Sequence, residues 1–180
     1  MKVSGTIIQI DKTKINPLRK IAQDVVANEF GTPSLVAVIE AMQNSLSQEE
    51  DGVALAAPQI AISKRIFVVS PKAYDEEAKL KPLIFINPKI VKVSKKTKSM
   101  QEGCLSVRWI YGTTERHIAV TVQAQDINGK KFSYGASGLI AHIFQHEIDH
   151  LDGVLFIDHG YDFEEYTSEE EYKERMKKSN

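Results

Sequence analysis

Residues 139–151 read LIAHIFQHEIDHL. Leu139, Ile143, His146 and His150 recur at helical intervals, and Gly153 follows as a stop signal. Inside this helix lies His146-Glu147-Ile148-Asp149-His150. Residues four apart on a helix stand about 40° apart around its axis, so both imidazoles can reach one ion. Glu147 sits one place on, near enough to exchange a proton with a water at that ion without being a ligand. Such a site acidifies water towards neutral pH, and a carboxylate beside it takes the proton and later returns it. His142 also lies on this helix, but it is about 80° round the axis from His150, so the three histidines do not aim easily at one ion.

Outward from this helix, the chain changes character twice. Asn16-Pro17 is an N-cap followed by proline at the first helical position, and Leu18, Ile21, Ala22, Val25 and Val26 then share a helical face. Thr32-Pro33 repeats the signal, with Leu35, Val38, Ile39, Met42 and Leu46 as the apolar stripe. Two helices are predicted there. From residue 61 to residue 125 the pattern is that of strands: 65–70, 83–87, 90–93 and 118–125 are short, β-branched runs bounded by Pro, Lys or Asp. Asn128-Gly129 should fold 118–125 against 131–134. Two helices, a run of strands and a helix among the strands predict an α+β fold, with short mixed or antiparallel sheets packed around the central His-Glu-x-x-His helix.

The 180 residues suit one compact unit, placed at 1–160. Residues 161–180 read as a charged tail. Ser168 with Glu171 is a capping-box pattern, acids cluster at the start and Lys173, Arg175, Lys177 and Lys178 at the end, so a short solvated helix without site residues is expected. With 42% hydrophobic and 26% charged residues and a net charge of −1, no basic field gathers nucleic acid or anionic lipid, and no sequence-specific nucleic-acid binding is expected. Apolar runs such as 83–86 and 153–157 are too short to cross a bilayer. Residues 1–11 lack the sections of a secretory signal, which favours the cytoplasm.

The single cysteine, Cys104, cannot form an internal disulfide. It can be a buried small hydrophobe, or it can be the third ligand that leaves one coordination position open. A thiolate with two imidazoles suits Fe(II), Co(II), Ni(II) or Zn(II) and excludes Mg(II). Further upstream, Gly52-Val53-Ala54-Leu55-Ala56-Ala57-Pro58-Gln59 is small and flexible. Its small residues let a substrate backbone come close, and Gln59 offers an amide N–H to a developing oxyanion.

Taken together, residues 52–59, Glu102-Gly103-Cys104-Leu105-Ser106 and 145–151 resemble the three ordered signatures of the peptide deformylase family. Those signatures are Gly-x-Gly-Leu-Ala-Ala-x-Gln, Glu-Gly-Cys-Leu-Ser and Gln-His-Glu-x-Asp-His-Leu. The second and third match in full, and Ala54 replaces the second glycine of the first. The resemblance runs from about residue 16 to residue 157, including Leu18-Arg19 and Asn87-Pro88. It implies hydrolysis of the formyl group from N-formylmethionyl peptides emerging from the ribosome, by a monomer holding one divalent ion, Fe(II) in the cell. It also implies that Cys104, His146 and His150 are the ligands, that Glu147 is the base and acid, and that Gln59 and the Leu105 N–H hold the oxyanion. The peptide would lie strand-like against Gly52, Val53, Ala54 and Gly103. His142 and Ile143 would flank the methionine pocket, and Glu102 and Arg116 would brace the site. Where many relatives have proline this chain has Arg108-Trp109, and Trp109 either caps the cleft or packs beside it. His117 and His159 carry no motif and read as structural. His-Glu-x-x-His also marks zinc endopeptidases, and a metal-binding relative without turnover is the other alternative.

Overall fold

The computed structural model describes residues 5–10, 16–74 and 81–178. In chain order its elements are α1 (Pro33–Ser47), β1 (Ala54–Ala56), β2 (Ile66–Val69), β3 (Leu83–Val93), β4 (Thr97–Cys104) and β5 (Val107–His117), then β6 (Ala119–Gln125), β7 (Lys131–Ser137), α2 (Gly138–Leu151), β8 (Tyr161–Glu165) and α3 (Glu169–Lys178). One sheet has the order β1-β2-β3-β6-β7 and the other β4-β5-β8, with every strand pair antiparallel. This is the expected α+β arrangement.

Alternation along the strands divides the core. Leu55, Ile66, Val68 and Ile86 pack with Leu35, Ile39, Met42 and Leu46 of α1. Their neighbours Ala54, Ala56, Phe67, Val69 and Phe85 pack with Ala141, Phe144, Ile148 and Leu151 of α2. Phe67 stacks on Phe85 at 4.6 Å, and Phe144 meets Phe85 edge-on at 4.7 Å. Helix α1 begins as its sequence predicts, with Thr32 accepting from the Leu35 N–H and Pro33 in the first turn. Helix α2 ends at Gly153, which has φ +75°, and a Cβ there would lie 2.9 Å from the Arg19 carbonyl. Only glycine satisfies both demands.

The helix predicted after Asn16 does not form. Asn16 caps and Pro17 starts a turn, but the turn covers Pro17–Arg19 alone, and Ile21 and Val26 are 73% and 54% exposed. Tertiary hydrogen bonds capture the backbone instead. Ala22 N donates to Leu151 O at 2.8 Å, Arg65 N to Gln23 O at 2.8 Å, and Val25 N to Oδ1 of Asn87 at 2.8 Å. These bonds commit the N–H groups of Ala22 and Val25 and the carbonyl of Gln23 to partners outside the segment, in place of a helical ladder. The same Asn87, at φ +50°, forms with Pro88 an irregularity inside β3, so the predicted strands 83–87 and 90–93 are one strand with a register shift.

The β4–β5 hairpin lies outside the strand runs read from the sequence, because β4 is largely polar and has no β-branched alternation. The Asn128-Gly129 turn joins β6 to β7 as expected, with Oδ1 of Asp126 accepting from Asn128 N and Lys130 N. The segment after residue 160, read as a charged tail, begins with a strand before its helix. Residues Tyr161–Glu165 are a strand paired with β5, and α3 follows with Glu171 bonded to Thr167 and Ser168. Alternating acidic and aromatic residues there read as a solvated tail, whereas the edge of β5 supplies their partner. Among the described residues no helix is long and apolar enough to cross a membrane.

Candidate metal centre

The end of β4 and one face of α2 meet at Cys104, His146 and His150, whose ligand atoms all lie within 4.8 Å of one another. Sγ of Cys104 is 3.2 Å from Nε2 of His150, and the two imidazole rings stand at 80° with centroids 4.8 Å apart. A register shift falls between Gly103, paired with Tyr111, and Cys104, paired with Val107. Ser106 N then lies 3.4 Å from Sγ and Nε2 of Gln59 lies 3.7 Å from it.

Glu102 supports this group from behind. It is 5% exposed, and its Oε1 contacts Nδ1 of His146 at 2.5 Å and accepts from Nη2 of Arg116 at 2.8 Å. Its Oε2 accepts from Thr114 Oγ1 at 2.5 Å and Nε of Arg116 at 3.2 Å. Nε2 of His142 lies 2.6 Å from that oxygen. Burial alone would raise the Glu102 carboxyl, but His142, His146 and Arg116 hold it far below the usual carboxylate range. Arg116 also reaches Asp149 at 2.6 Å, tying β5 to the motif helix. The Nδ1 contact turns Nε2 of His146 towards the centre, as supporting carboxylates do for metal-binding imidazoles. Glu102→Gln should therefore weaken divalent-ion affinity about 10–100-fold in chelator competition, with the fold kept.

Electrostatics divide the two histidines. Burial opposes charge on His146, yet Cys104 and Glu102 outweigh it and raise its pKa well above the usual value. Burial, then His146, lowers His150 well below it. Cys104 and Glu102 thus draw positive charge to the centre, while His150 keeps a free lone pair. Glu147 is 3% exposed, burial pushes its carboxyl up to about 7, and its Oε2 has no hydrogen-bond partner among the described residues. One sulfur and two imidazole nitrogens, with a free carboxylate oxygen beside them, fit a borderline divalent cation with one position left open.

These groups border a cavity of ≈ 330 Å³. The expected ligand, catalytic and substrate-contact residues line it except His150, which is in contact with Cys104. Gly52, Val53 and Ala54 come from the edge strand β1 and the loop before it, Gly103 from β4, and His142 and Ile143 from α2. The segment read as flexible is a buried strand and turn. Gln59 is held there, its Oε1 accepting from Ala56 N at 2.8 Å and its Nε2 donating to Ser106 Oγ at 3.2 Å. Leu105 is fixed by Gln9, whose Nε2 donates to the Leu105 carbonyl at 2.9 Å. Trp109, at φ +64°, lines the cavity beside Arg108, which pairs with Glu49 and Asp51. His117 bonds Ser94 and Gln145, and His159 meets Asp149 at 3.3 Å.

Sequence reading overlooked Ser106, Thr114 and Asp149 as supports, although Ser106 and Asp149 lie inside its two strongest motifs. It also overlooked Tyr111 and Tyr172, which line the cavity and carry no motif.

The polypeptide deformylase family model matches residues 6–165. A peptide deformylase of Polynucleobacter necessarius is 38% identical over 160 residues, covering 89% of this chain and 89% of its own. The chloroplastic peptide deformylase 1A of Solanum lycopersicum is 39% identical over 78% of this chain and 55% of its own. The Met-Ala-Ser-bound class I type b peptide deformylase of Acinetobacter baumannii superposes with a TM-score of 0.77 at 32% identity, over 88% of this chain and 99% of that one.

Proposed function

The chain belongs to the peptide deformylase family and removes the N-formyl group from nascent formylmethionyl peptides, and we propose the following division of labour among its residues. Cys104, His146 and His150 would hold one divalent ion, Fe(II) in the cell, replaceable by Zn(II), Ni(II) or Co(II). When bound, that ion polarises the formyl carbonyl and acidifies water. Glu147 accepts the proton of the attacking water and delivers it to the leaving amine nitrogen as the C–N bond breaks, giving formate and a free methionyl amine. The Gln59 amide and the Leu105 N–H hold the oxygen on which charge develops. The peptide backbone adds along the open edge of β1, against Gly52, Val53, Ala54 and Gly103, with its methionine side chain beside His142 and Ile143.

The observation that carries this reading is the meeting of three metal-type donors within 4.8 Å beside a buried carboxylate with an unpartnered oxygen. Formate release from formyl-Met-Ala-Ser, compared with cleavage of an internal amide in a blocked peptide, tests it. Release of formate alone is expected, and cleavage of the internal amide would indicate a peptidase. The proposed setting is a monomer in the cytoplasm, acting on chains that leave the ribosome, which sedimentation and cell fractionation measure.

Two outcomes follow from the donor set and from Ala54. The Fe(II) form should lose activity in air faster than the Ni(II) or Zn(II) form, because iron and thiolate are both oxidisable. Equal lifetimes at verified occupancy would speak against a thiolate ligand. Ala54 lines the cavity and also packs in the core beneath α2. Ala54→Val should raise KM on the order of tenfold by crowding the strand path, with a smaller effect on kcat. Ala54→Gly should leave activity equal or modestly higher through KM, at a stability cost of about 1 kcal/mol. Steady-state kinetics on a formyl-Met tripeptide read both. A tolerated Val with a crippled Gly would mean that Ala54 serves the core alone.

A further inference from the structure

Helix α3 reaches the cavity mouth. Tyr172 lines the cavity together with Tyr111, Trp109 and Asp51. Its ring lies parallel to that of Tyr111, with centroids 4.5 Å apart and planes at 11°. Tyr111 in turn sits against Gly103, its cross-strand partner, where a Cβ would come within 2.7 Å of Cε1 of Tyr111. An aromatic wall therefore runs from the strand beside Cys104 to the C-terminal helix.

This wall is anchored. Tyr166, 3% exposed, packs edge-on against Tyr111 at 5.9 Å and Tyr172 at 5.3 Å, and its N–H donates to the Trp109 carbonyl at 2.8 Å. Strand β8 pairs Glu164 with Tyr111 and Glu165 with Ile110. Burial, then Tyr172, pushes Tyr111 up to about 12, so its ring stays neutral at working pH. At the same mouth Arg108 is already taken up by Glu49 and Asp51. The wall thus lines the cavity mouth with aromatic rings.

We propose that Tyr172, carried by α3 and stacked on Tyr111, is a specificity-determining residue that favours a large apolar or aromatic side chain at the second or third position of the formylated peptide. The proposal rests on the deformylase reading above. A peptide adding to β1 with its methionine by His142 and Ile143 has its following side chains at this mouth. Ring–ring contact there should favour Phe over Ala by about two- to tenfold.

The test uses the full-length, metal-loaded protein and compares kcat/KM for formyl-Met-Ala-Ala with formyl-Met-Phe-Ala and formyl-Met-Ala-Phe. The parent is expected to prefer a Phe peptide by about two- to tenfold, expressed in KM. Tyr172→Ala should lose that preference, and Tyr172→Phe should keep it because the ring selects. An equal fall for all peptides, or a change in kcat alone, would mark Tyr172 as structural and overturn the proposal. So would equal kcat/KM across the peptides in the parent, a result that stands even if Tyr172→Ala does not fold. A parent that releases formate from none of them defeats the deformylase reading itself.

Discussion

Glu147→Gln should bind one divalent ion per chain and lose formate release by about 10²–10⁴-fold, the range in which a positioned acid–base group contributes. The amide matches the carboxylate in shape but accepts no proton, so water is not activated and the leaving amine is not protonated. Binding should persist because the donors that meet within 4.8 Å are those of Cys104, His146 and His150. The fold should also persist. Burial raises this carboxyl from 4.5 to about 7, so between those pH values the folded state binds more protons than the unfolded one. Stability contributed by Glu147 therefore falls as pH rises through that window, and a neutral amide avoids the loss. Metal-free Glu147→Gln should unfold at no lower temperature than the parent at pH 8. Loss of metal from the variant would make Glu147 structural and defeat its proposed role.

The second large effect concerns the thiol. Cys104→Ser should weaken affinity for Fe(II), Ni(II), Co(II) and Zn(II) by more than the roughly 10–100-fold typical of losing a supporting contact, and activity should fall with it. A hydroxyl is a poor ligand for these ions, and the remaining two imidazoles supply no charge to offset theirs. Ser is close to Cys in size and Cys104 is only partly buried, so circular dichroism should change little. Chelator competition measures the affinity. A Ser variant with parental affinity would remove Cys104 from the ligand set.

Much of this site is legible in the sequence because its chemistry is local. His146, Glu147 and His150 lie on successive turns of one helix, and the helix period places them before any tertiary contact is known. Cys104 is readable as the only thiol in the chain. What the pattern conceals is tertiary. The stripe from Leu18 to Val26 has a helical period, yet Leu151, Arg65 and Asn87 claim its backbone, and long-range bonds override local propensity. Strand β4 is largely polar, and its pairing with β5 leaves no alternation to read. Tyr172 is set among acids that suggest a wet helix, and only its placement on Tyr111 brings it to the cavity. Glu102 could be matched by motif, but its simultaneous hold on His146, His142 and Arg116 depends on the meeting of β4, β5 and α2.

The most direct measurement adds Fe(II) or Ni(II) anaerobically to metal-free protein and follows formate release from formyl-Met-Ala-Ser. Activity should rise in proportion to added metal and level off at one ion per chain. Formate release without metal, a plateau at two ions, or full occupancy with no formate would contradict the account.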